Sequence, residues 1–261
     1  MRIVNDDVEL YAELAGEGEC VVLLHGFPLS HRIWDRCVRA LSSRYRVLAP
    51  DIRGMGESHV GAGPYLMEQL AGDLAAMLES LAIERVTLIG HSLGGFVALA
   101  YARMYAERVA RLGLVGSRLA ADSSEQAVFR RALSDRIEVA NSGAEAVEAF
   151  LPRLLPAHRL ADSDLVARIR AIGAESSAAG LAAVLRGMAL RDSAFDIAAD
   201  LAMPVAVMVG AEDPAVSLAE MEACVAAFPD ATLTVLPGSG HLPMLEAPEA
   251  FEKAIEALLA R

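Results

Sequence analysis

One serine of this chain stands where a strand turns tightly into a helix. In the stretch LIGHSLGGF, Leu88–Phe96, the first residues predict the end of a buried strand and the last ones predict the start of a helix. Ser92 lies between them, with Gly90 two residues before it and Gly94 two residues after it. This G-x-S-x-G spacing is typical of a nucleophile elbow, a strained corner that lifts a hydroxyl clear of the backbone. We predict that Ser92 is a nucleophile; the alternative is a glycine-rich turn with an incidental serine.

The glycines beside the serine have a steric explanation. Where a strand turns this sharply, strand and helix approach so closely that a side chain at Gly90 or Gly94 would clash, and Gly95 adds further room. The helix that follows would point its first N–H groups at the hydroxyl, where they can stabilise an oxyanion. The stretch therefore predicts acyl transfer, provided that a general base lies nearby.

A histidine near the C-terminus is the predicted general base, because a serine hydroxyl is a poor nucleophile without one. His241 lies in PGSGHLPMLEAPE, residues 237–249, a glycine-rich loop directly after the last predicted strand. A loop at the carboxyl end of a strand can bring an imidazole over the serine. His31 and His59 lie in loop-like polar surroundings, and His158 lies in the predicted helical insertion, residues 118–195. The alternative for His241 is a purely structural histidine.

An acidic residue is needed to orient the histidine. The segment GAEDP, residues 210–214, follows the apolar strand PVAVMV and offers Glu212 and Asp213. Choosing Asp213 gives the chain order Ser92, Asp213, His241, an order known for serine hydrolases built on an α/β sheet. Two alternatives stay open: Asp213 as a helix N-cap or turn residue, and Glu212 as the acid.

The elements around these residues alternate between short apolar strands and helices. Such alternation predicts an α/β fold with a mostly parallel, doubly wound sheet, preceded by a hairpin that turns at residues 5–7. The predicted strands are Val21–His25, Arg46–Ala49, Arg85–Ile89, Arg111–Val115, Pro204–Val209 and Thr232–Leu236. Helical periodicity is evident over Ile33–Ser43, Met67–Leu81 and Leu93–Met104.

Residues 118–195 contain no predicted strand, and we predict that they form a helical cap over a core of residues 1–117 and 196–261. Its predicted helices are Ser123–Asn141, Ala144–Leu155, Asp162–Ile172 and Ser177–Leu190, broken at Gly143, Pro152, Pro156 and Gly173. Its larger apolar residues include Phe150, Val184, Leu185, Met188, Leu190 and Phe195. We expect most of these to pack the cap onto the sheet and a few to face the serine, where they would select the substrate.

Composition excludes several classes of function. The net charge of -12 disfavours binding to nucleic acid or to an anionic membrane, since both would repel the protein. No apolar run approaches the 18 or so residues of a membrane-spanning helix, and the N-terminus lacks the apolar core of a signal peptide. Cys20, Cys37 and Cys224 are widely spaced and form no metal-ligand pattern. We expect a cytoplasmic protein without a metal ion or other cofactor.

Five motifs in order make the chain similar to the α/β-hydrolase superfamily over essentially its whole length. They are HGFP (25–28), DIRGMGES (51–58), GHSLGG (90–95), GAEDP (210–214) and GSGHLPMLEAPE (238–249). Within the superfamily the chain most resembles the small esterases, enol-lactonases and cofactor-free haloperoxidases or perhydrolases. No motif singles out one member of that group.

The resemblance implies roles for further residues. In such enzymes the HGFP loop donates the backbone N–H of the residue after His-Gly, here Phe27, to the oxyanion, and Leu93 donates the other N–H. His25 and Gly26 would support that loop, as Gly90 and Gly94 support the elbow. In DIRGMGES the polar residues Asp51, Arg53 and Ser58 would fix the loop, although Arg53 could instead contact an acidic substrate. Trp34 is expected to anchor the core and not to form a pocket wall.

The function expected from these residues is hydrolysis of small to medium carboxylic esters or lactones through an acyl-enzyme. Three alternatives remain: a perhydrolase or haloperoxidase that uses hydrogen peroxide, a carbon–carbon bond hydrolase or lyase with the same triad, and a non-catalytic ligand-binding protein. A dehalogenase is disfavoured because those that resemble this chain carry aspartate at the elbow. The expected partner is a small molecule, and the sequence leaves the oligomeric state open.

Overall fold

A single mixed sheet with helices on its faces forms the framework. A computed structural model describes residues 1–5 and 8–261 of the chain. Within these residues eight strands pair in the order β1-β2-β4-β3-β5-β6-β7-β8. The pairs β1–β2 and β2–β4 are antiparallel, and every later pair is parallel. The strands are β1 Arg2–Asn5, β2 Val8–Ala15, β3 Cys20–Leu24, β4 Arg46–Pro50, β5 Val86–His91, β6 Val109–Val115, β7 Val205–Gly210 and β8 Ala231–Leu236.

Helices connect the strands and cover the sheet. They are α1 Asp35–Leu41, α2 Met67–Ser80, α3 Leu93–Met104, α4 Ser124–Ala140, α5 Gly143–Leu154, α6 Ser163–Gly173, α7 Ala178–Met188, α8 Phe195–Ala198, α9 Leu218–Ala227, α10 Pro243–Glu246 and α11 Pro248–Leu259. Three short 3-10 segments lie at His31–Trp34, Ala106–Arg108 and Ala157–Ala161. In the described part of the chain, none of the helices combines the length and apolarity that crossing a bilayer would require.

The central strands are buried along their whole length, which explains why their sequences lack polar alternation. All residues of β3, β5 and β7 are buried, as expected for parallel strands covered on both faces. Trp34 is fully buried and stacks on Phe251 of α11, with ring centroids 5.9 Å apart, so it is a core residue. The predicted α/β class and mostly parallel sheet are confirmed.

The N-terminal hairpin forms as predicted, with β1 and β2 paired antiparallel. Asp6 and Asp7 of its predicted turn lie outside the described residues. The prediction that Pro152 breaks a helix is wrong, because α5 continues through it to Leu154. Proline removes only the hydrogen bond from its own nitrogen, and Pro152 is exposed in the last turn, where water can satisfy the carbonyl that loses its partner.

Helices α4 to α7 follow β6 and precede β7, as predicted for the strand-free segment. They form two packed pairs, α4 with α7 and α5 with α6. The segment lies directly on the loop after β4: a Cβ atom at Gly180 would collide with the carbonyl of Gly54, and Ala183 accepts a 3.2 Å hydrogen bond from the N–H of Tyr65. The division into a core and a cap remains a prediction.

Candidate active site

Ser92 occupies a strained corner between β5 and α3. Its φ of 52° lies in the left-handed region, which a residue with a Cβ atom rarely adopts, and its ψ is -113°. The corner is held on both sides of the serine, since the N–H of Ser92 donates to Val115 at 2.8 Å and the hydroxyl of Ser117 donates to the Ser92 carbonyl. The serine therefore projects from the carboxyl edge of the sheet on a backbone that neighbouring strands hold in place.

The two glycines of the elbow are each in contact with a different part of the fold. A Cβ atom at Gly90 would collide with the backbone of Gly94, which is the close approach of strand and helix that the sequence suggests. A Cβ atom at Gly94 would instead collide with the carbonyl of Leu24, at the end of β3. The elbow is thus packed against itself and against the strand that leads into the HGFP loop.

Asp213 and His241 form a buried hydrogen-bonded pair. Nδ1 of His241 lies 2.7 Å from Oδ2 of Asp213, and the two side chains are almost fully buried. Oδ1 of Asp213 accepts from the N–H groups of Ala215 and Val216 at 2.8 and 3.1 Å, so the aspartate also closes the turn after β7. Glu212 is exposed and its carboxylate lies 3.5 Å from the exposed His158. The geometry thus favours Asp213 over Glu212 as the partner of His241.

Ser92 and His241 line the same cleft, which contains about 590 Å³ of space, part of it open to solvent. The cleft lies between the ends of the strands and the helices α4, α5 and α7. Its apolar lining includes Phe27, Phe96, Phe129, Phe150 and Met188. Of the six larger apolar residues that the sequence placed in the cap, only Phe150 and Met188 reach it; Val184 and Leu185 are buried elsewhere, and Leu190 and Phe195 are exposed.

His241 and its loop are held from several sides. The residues that do so were not among the site residues predicted from the sequence. The N–H of His241 donates to the carbonyl of Leu154 at 3.1 Å, and its carbonyl accepts from Nε2 of the buried His91 at 2.8 Å. Burial, and next the charge of His241, hold the pKa of His91 well below its usual value, so His91 is neutral. Oε1 of Glu246 accepts from the amides of Gly240 and Leu242, each at 3.0 Å. Glu246 therefore holds the loop immediately before and after His241.

Gly116 is a further residue of the site that the sequence reading missed. It has a φ of 54°, and a Cβ atom there would lie 2.9 Å from the imidazole of His241 and 3.2 Å from Oδ2 of Asp213. The available signal was its position at the carboxyl end of a predicted strand, next to Ser117. A glycine at this position leaves room for the pair to reach the cleft.

The HGFP loop lies against the elbow. The buried His25 accepts a 3.0 Å hydrogen bond from the N–H of Ile52 through Nε2, which ties the loop to the end of β4. A Cβ atom at Gly26 would collide with the ring of His91. Phe27 lines the cleft and Leu93 directly follows Ser92, and within residues 1–5 and 8–261 neither backbone amide donates a hydrogen bond to another group of the protein. The role of these two amides as oxyanion donors stays a prediction.

The polar residues after β4 fix their own loop. Asp51 accepts from the N–H and Nδ1 of His31 at 2.7 and 2.9 Å, and the hydroxyl of Ser58 donates to the Asp51 carbonyl at 2.7 Å. Arg53 is buried and makes a two-point contact with Asp73 on α2, at 2.8 and 2.6 Å. The surroundings of His31 are polar as expected, because it is buried against Asp51, but the expectation of a loop is wrong, since His31 begins a 3-10 turn.

Comparison with known proteins agrees with this architecture. The family model for the alpha/beta hydrolase fold matches residues 19–248. A thermophilic esterase from Thermogutta terrifontis, solved with malate bound, is 35% identical with a TM-score of 0.94, over 100% of this chain and 98% of that chain. The enol-lactonase from Burkholderia xenovorans LB400 is 26% identical with a TM-score of 0.90, over 100% of both chains. Among curated proteins, 3-oxoadipate enol-lactonase 2 of Acinetobacter baylyi is 29% identical over 99% of this chain and 96% of its own length.

The resemblance inferred from the five motifs is therefore confirmed. The relatives named as esterases and enol-lactonases support hydrolysis of small-molecule esters or lactones as the general activity. With 230 consecutive residues inside the family model and full-length structural agreement, the chain belongs to the alpha/beta hydrolase family.

Proposed function

We propose that this protein is a carboxylic ester hydrolase that cleaves small to medium esters or lactones through an acyl-enzyme on Ser92. The observation that carries the proposal is the shared cleft: a serine on a strained elbow and a histidine bonded to a buried aspartate at 2.7 Å line the same space. The esterase and enol-lactonase relatives support the same class of substrate.

In the proposed reaction Ser92, His241 and Asp213 act both in the formation of the acyl-enzyme and in its hydrolysis. Ser92 Oγ attacks the carbonyl carbon while Nε2 of His241 takes its proton, and Asp213 stabilises the imidazolium through Nδ1. The negative oxygen is bound by the amides of Phe27 and Leu93. The alcohol leaves with the proton from His241, which then deprotonates a water molecule. That water attacks the acyl-enzyme and releases the acid and free Ser92.

The segment 118–195 is proposed as the part that selects the substrate. Phe150 and Met188 come from it and line the cleft opposite the strand ends. An added or removed methylene against such a wall changes discrimination by about 1–3 kcal/mol. We therefore expect graded preference among acyl chains.

Covalent labelling tests the proposal. A fluorophosphonate probe should label the wild-type protein once, at Ser92, and should leave Ser92→Ala unlabelled while that variant keeps its melting temperature. Ser80→Ala is the matched control, because Ser80 is exposed at the end of α2 and its hydroxyl donates to the Met77 carbonyl; it should remain labelled. Labelling that persists in Ser92→Ala would contradict the proposal.

A second measurement separates hydrolysis from perhydrolysis. The released acid is measured with and without hydrogen peroxide, together with any peracid. Acid alone, at an unchanged rate, supports the hydrolase. Peracid as the main product would favour the perhydrolase alternative.

A further inference from the structure

One wall of the cleft is formed by residues of the segment 118–195, and positive charge is concentrated on that wall. Arg118, Arg130 and Arg153 all line the cleft together with Ser92 and His241. The protein as a whole carries a net charge of -12, so this concentration is not a consequence of its composition. We call these three residues the cleft arginines.

Two of the cleft arginines share a single buried carboxylate. Asp122, whose side chain is 2% exposed, accepts from Nη2 of Arg118 at 3.0 Å and also from Arg130. Arg191 lies 3.7 Å from the same carboxylate and stacks over the ring of Phe96 at 3.8 Å. Burial, opposed by the charge of Asp122, lowers the pKa of Arg191 to about 10, so it too is charged at neutral pH. One negative charge thus lies among three positive ones.

Arg153 is the remaining cleft arginine. Its guanidinium lies over the ring of Phe129, 5.6 Å from the centroid. In the described part of the chain, neither a hydrogen bond nor an ion pair joins it to a carboxylate. Burial, and next the charges of Arg130 and Arg118, lower its pKa below the usual value, and the opposing charge of Asp122 does not outweigh them.

A second carboxylate near this wall, that of Glu220, does not neutralise it. Glu220 on α9 approaches Arg118 at 3.6 Å, but its side chain is 42% exposed, and it also caps its own helix through Ser217. Water therefore screens Glu220, whereas Arg118 and Arg130 are nearly buried. The cleft keeps a surplus of positive charge beside the serine.

We propose that the substrate carries a second, ionised carboxylate, which Arg153 binds with the help of Arg118 and Arg130. The substrate class is a half-ester of a dicarboxylic acid, or a lactone that bears a carboxylate. This inference rests on the proposed ester hydrolysis at Ser92. A guanidinium presents N–H donors in a planar fork that matches the two oxygens of a carboxylate, and a partly buried cation without a partner is stabilised by such a ligand.

Matched ester pairs test the proposal. Hydrolysis of methyl half-esters of dicarboxylic acids from four to eight carbons is compared with that of methyl esters of the corresponding monocarboxylic acids, by titration of the released acid. The wild-type protein should favour the best half-ester over its neutral counterpart by about tenfold or more in kcat/KM, as one charge-assisted contact allows.

Substitutions locate the effect. Arg153→Met should lower kcat/KM for the half-ester, mainly through a higher KM, so that the ratio of kcat/KM for the half-ester to that for the neutral ester falls about 10- to 100-fold. Arg153→Lys should recover part of the loss, because it restores the charge without the fork. Arg168→Met, an equal change of charge at an exposed position on α6, should leave both substrates unaffected.

The outcomes separate this inference from the function on which it rests. If the protein hydrolyses the neutral esters with dependence on Ser92 but shows no preference for half-esters, or if Arg153→Met leaves the ratio unchanged, the carboxylate site is wrong and the hydrolase stands. If neither series is hydrolysed and the fluorophosphonate does not label Ser92, the hydrolase is wrong and the inference falls with it.

Discussion

The two walls of the cleft are held by different kinds of contact. On the strand side, Ser92, Asp213 and His241 are short side chains fixed by backbone groups, by glycines that admit close approach and by a neighbouring buried carboxylate. On the helical side, Arg118, Arg130 and Arg153 are long side chains arranged by ion pairs and ring contacts. The strand side therefore holds its side chains in one geometry. On the helical side, substitution of a few side chains would alter the shape and charge that the cleft presents.

The strand side should be sensitive to the loss of a single oxygen. Asp213→Asn keeps the shape of the side chain but favours the wrong tautomer of His241, so kcat should fall about 10³- to 10⁴-fold. The rate of neutral ester hydrolysis and the melting temperature are measured together. Glu212→Gln is the control, since Glu212 is exposed, and it should retain nearly full activity. An equal loss in both variants would show that the two acids are not distinguished as the geometry suggests.

The helical side should be sensitive to the loss of its shared anion. Asp122→Ala leaves three buried or nearly buried arginines without their carboxylate, and the free energy of unfolding should fall by about 3–5 kcal/mol. Hydrogen exchange should speed up in α4 and α5 more than in β3 and β5. Asp164→Ala, on the exposed side of α6, should change stability by about 0.5 kcal/mol or less. Uniform exchange across both regions would contradict a separately held helical wall.

Glu246 tests how firmly the loop on the strand side is held. Its side chain is fully buried, and Glu246→Ala removes the acceptor for the two amides beside His241, which should cost about 1–3 kcal/mol of stability and lower kcat. Burial raises the pKa of Glu246 in the folded protein, so ionisation of this carboxyl favours the unfolded chain. The contribution of Glu246 to stability therefore declines as pH rises from 4.5, the ordinary pKa, through the raised pKa. Glu246→Gln, which keeps an acceptor oxygen, should gain stability relative to the wild type as pH rises. Denaturant unfolding at several pH values measures this, and a constant difference would refute it.

The smallest expected effect concerns the loop after β4. Burial lowers the pKa of His31, but its hydrogen bond to Asp51 and the charge of Asp51 outweigh burial and raise it. Burial raises the pKa of Asp51, but the contacts with His31 and His25 outweigh burial and lower it. The ion pair of His31 with Asp51 therefore stabilises the fold fully between pH 3.8 and pH 6.5, which are the ordinary pKa values of the two groups. This stabilisation is lost as pH rises through the raised pKa of His31.

His31→Gln should accordingly cost more stability near about pH 5.5 than above about pH 8. Urea unfolding at the two pH values measures the difference. The exposed His59 supplies the control variant, His59→Gln, which should change stability by about 0.5 kcal/mol or less. An equal cost for His31→Gln at both values would mean that the contact with Asp51 does not depend on protonation.

Prediction from the sequence succeeded where local pattern determines the structure. The strands β3 to β8 begin and end within two residues of their predicted limits, and α3 matches at both ends, because buried parallel strands and helices have distinct apolar periods. Asp213 follows its strand as expected and lies beside His241. The predicted helix break at Pro152 was wrong because the pattern does not show that Pro152 lies in an exposed last turn, which tolerates proline.

Contacts between distant residues could not be predicted in the same way. His91 is 150 residues from the carbonyl it binds in His241, and nothing in its local sequence indicates that partner. The cleft arginines lie at positions 118, 130 and 153 on a loop and two helices, with no common spacing. Their convergence depends on how α4 and α5 pack over the strand ends, which apolar periodicity leaves undetermined.

The hydrogen bond from the His241 amide to the Leu154 carbonyl links the two walls mechanically. Leu154 is the last residue of α5. A motion that moved this end of the helix outward would either break the hydrogen bond to His241 or pull the imidazole away from the serine. Movement of this end of α5 away from the strands would therefore displace His241 each time the cleft opened. Passage of substrate and product without such an interruption requires a route in which the C-terminal end of α5 stays still and other parts of the helical wall move.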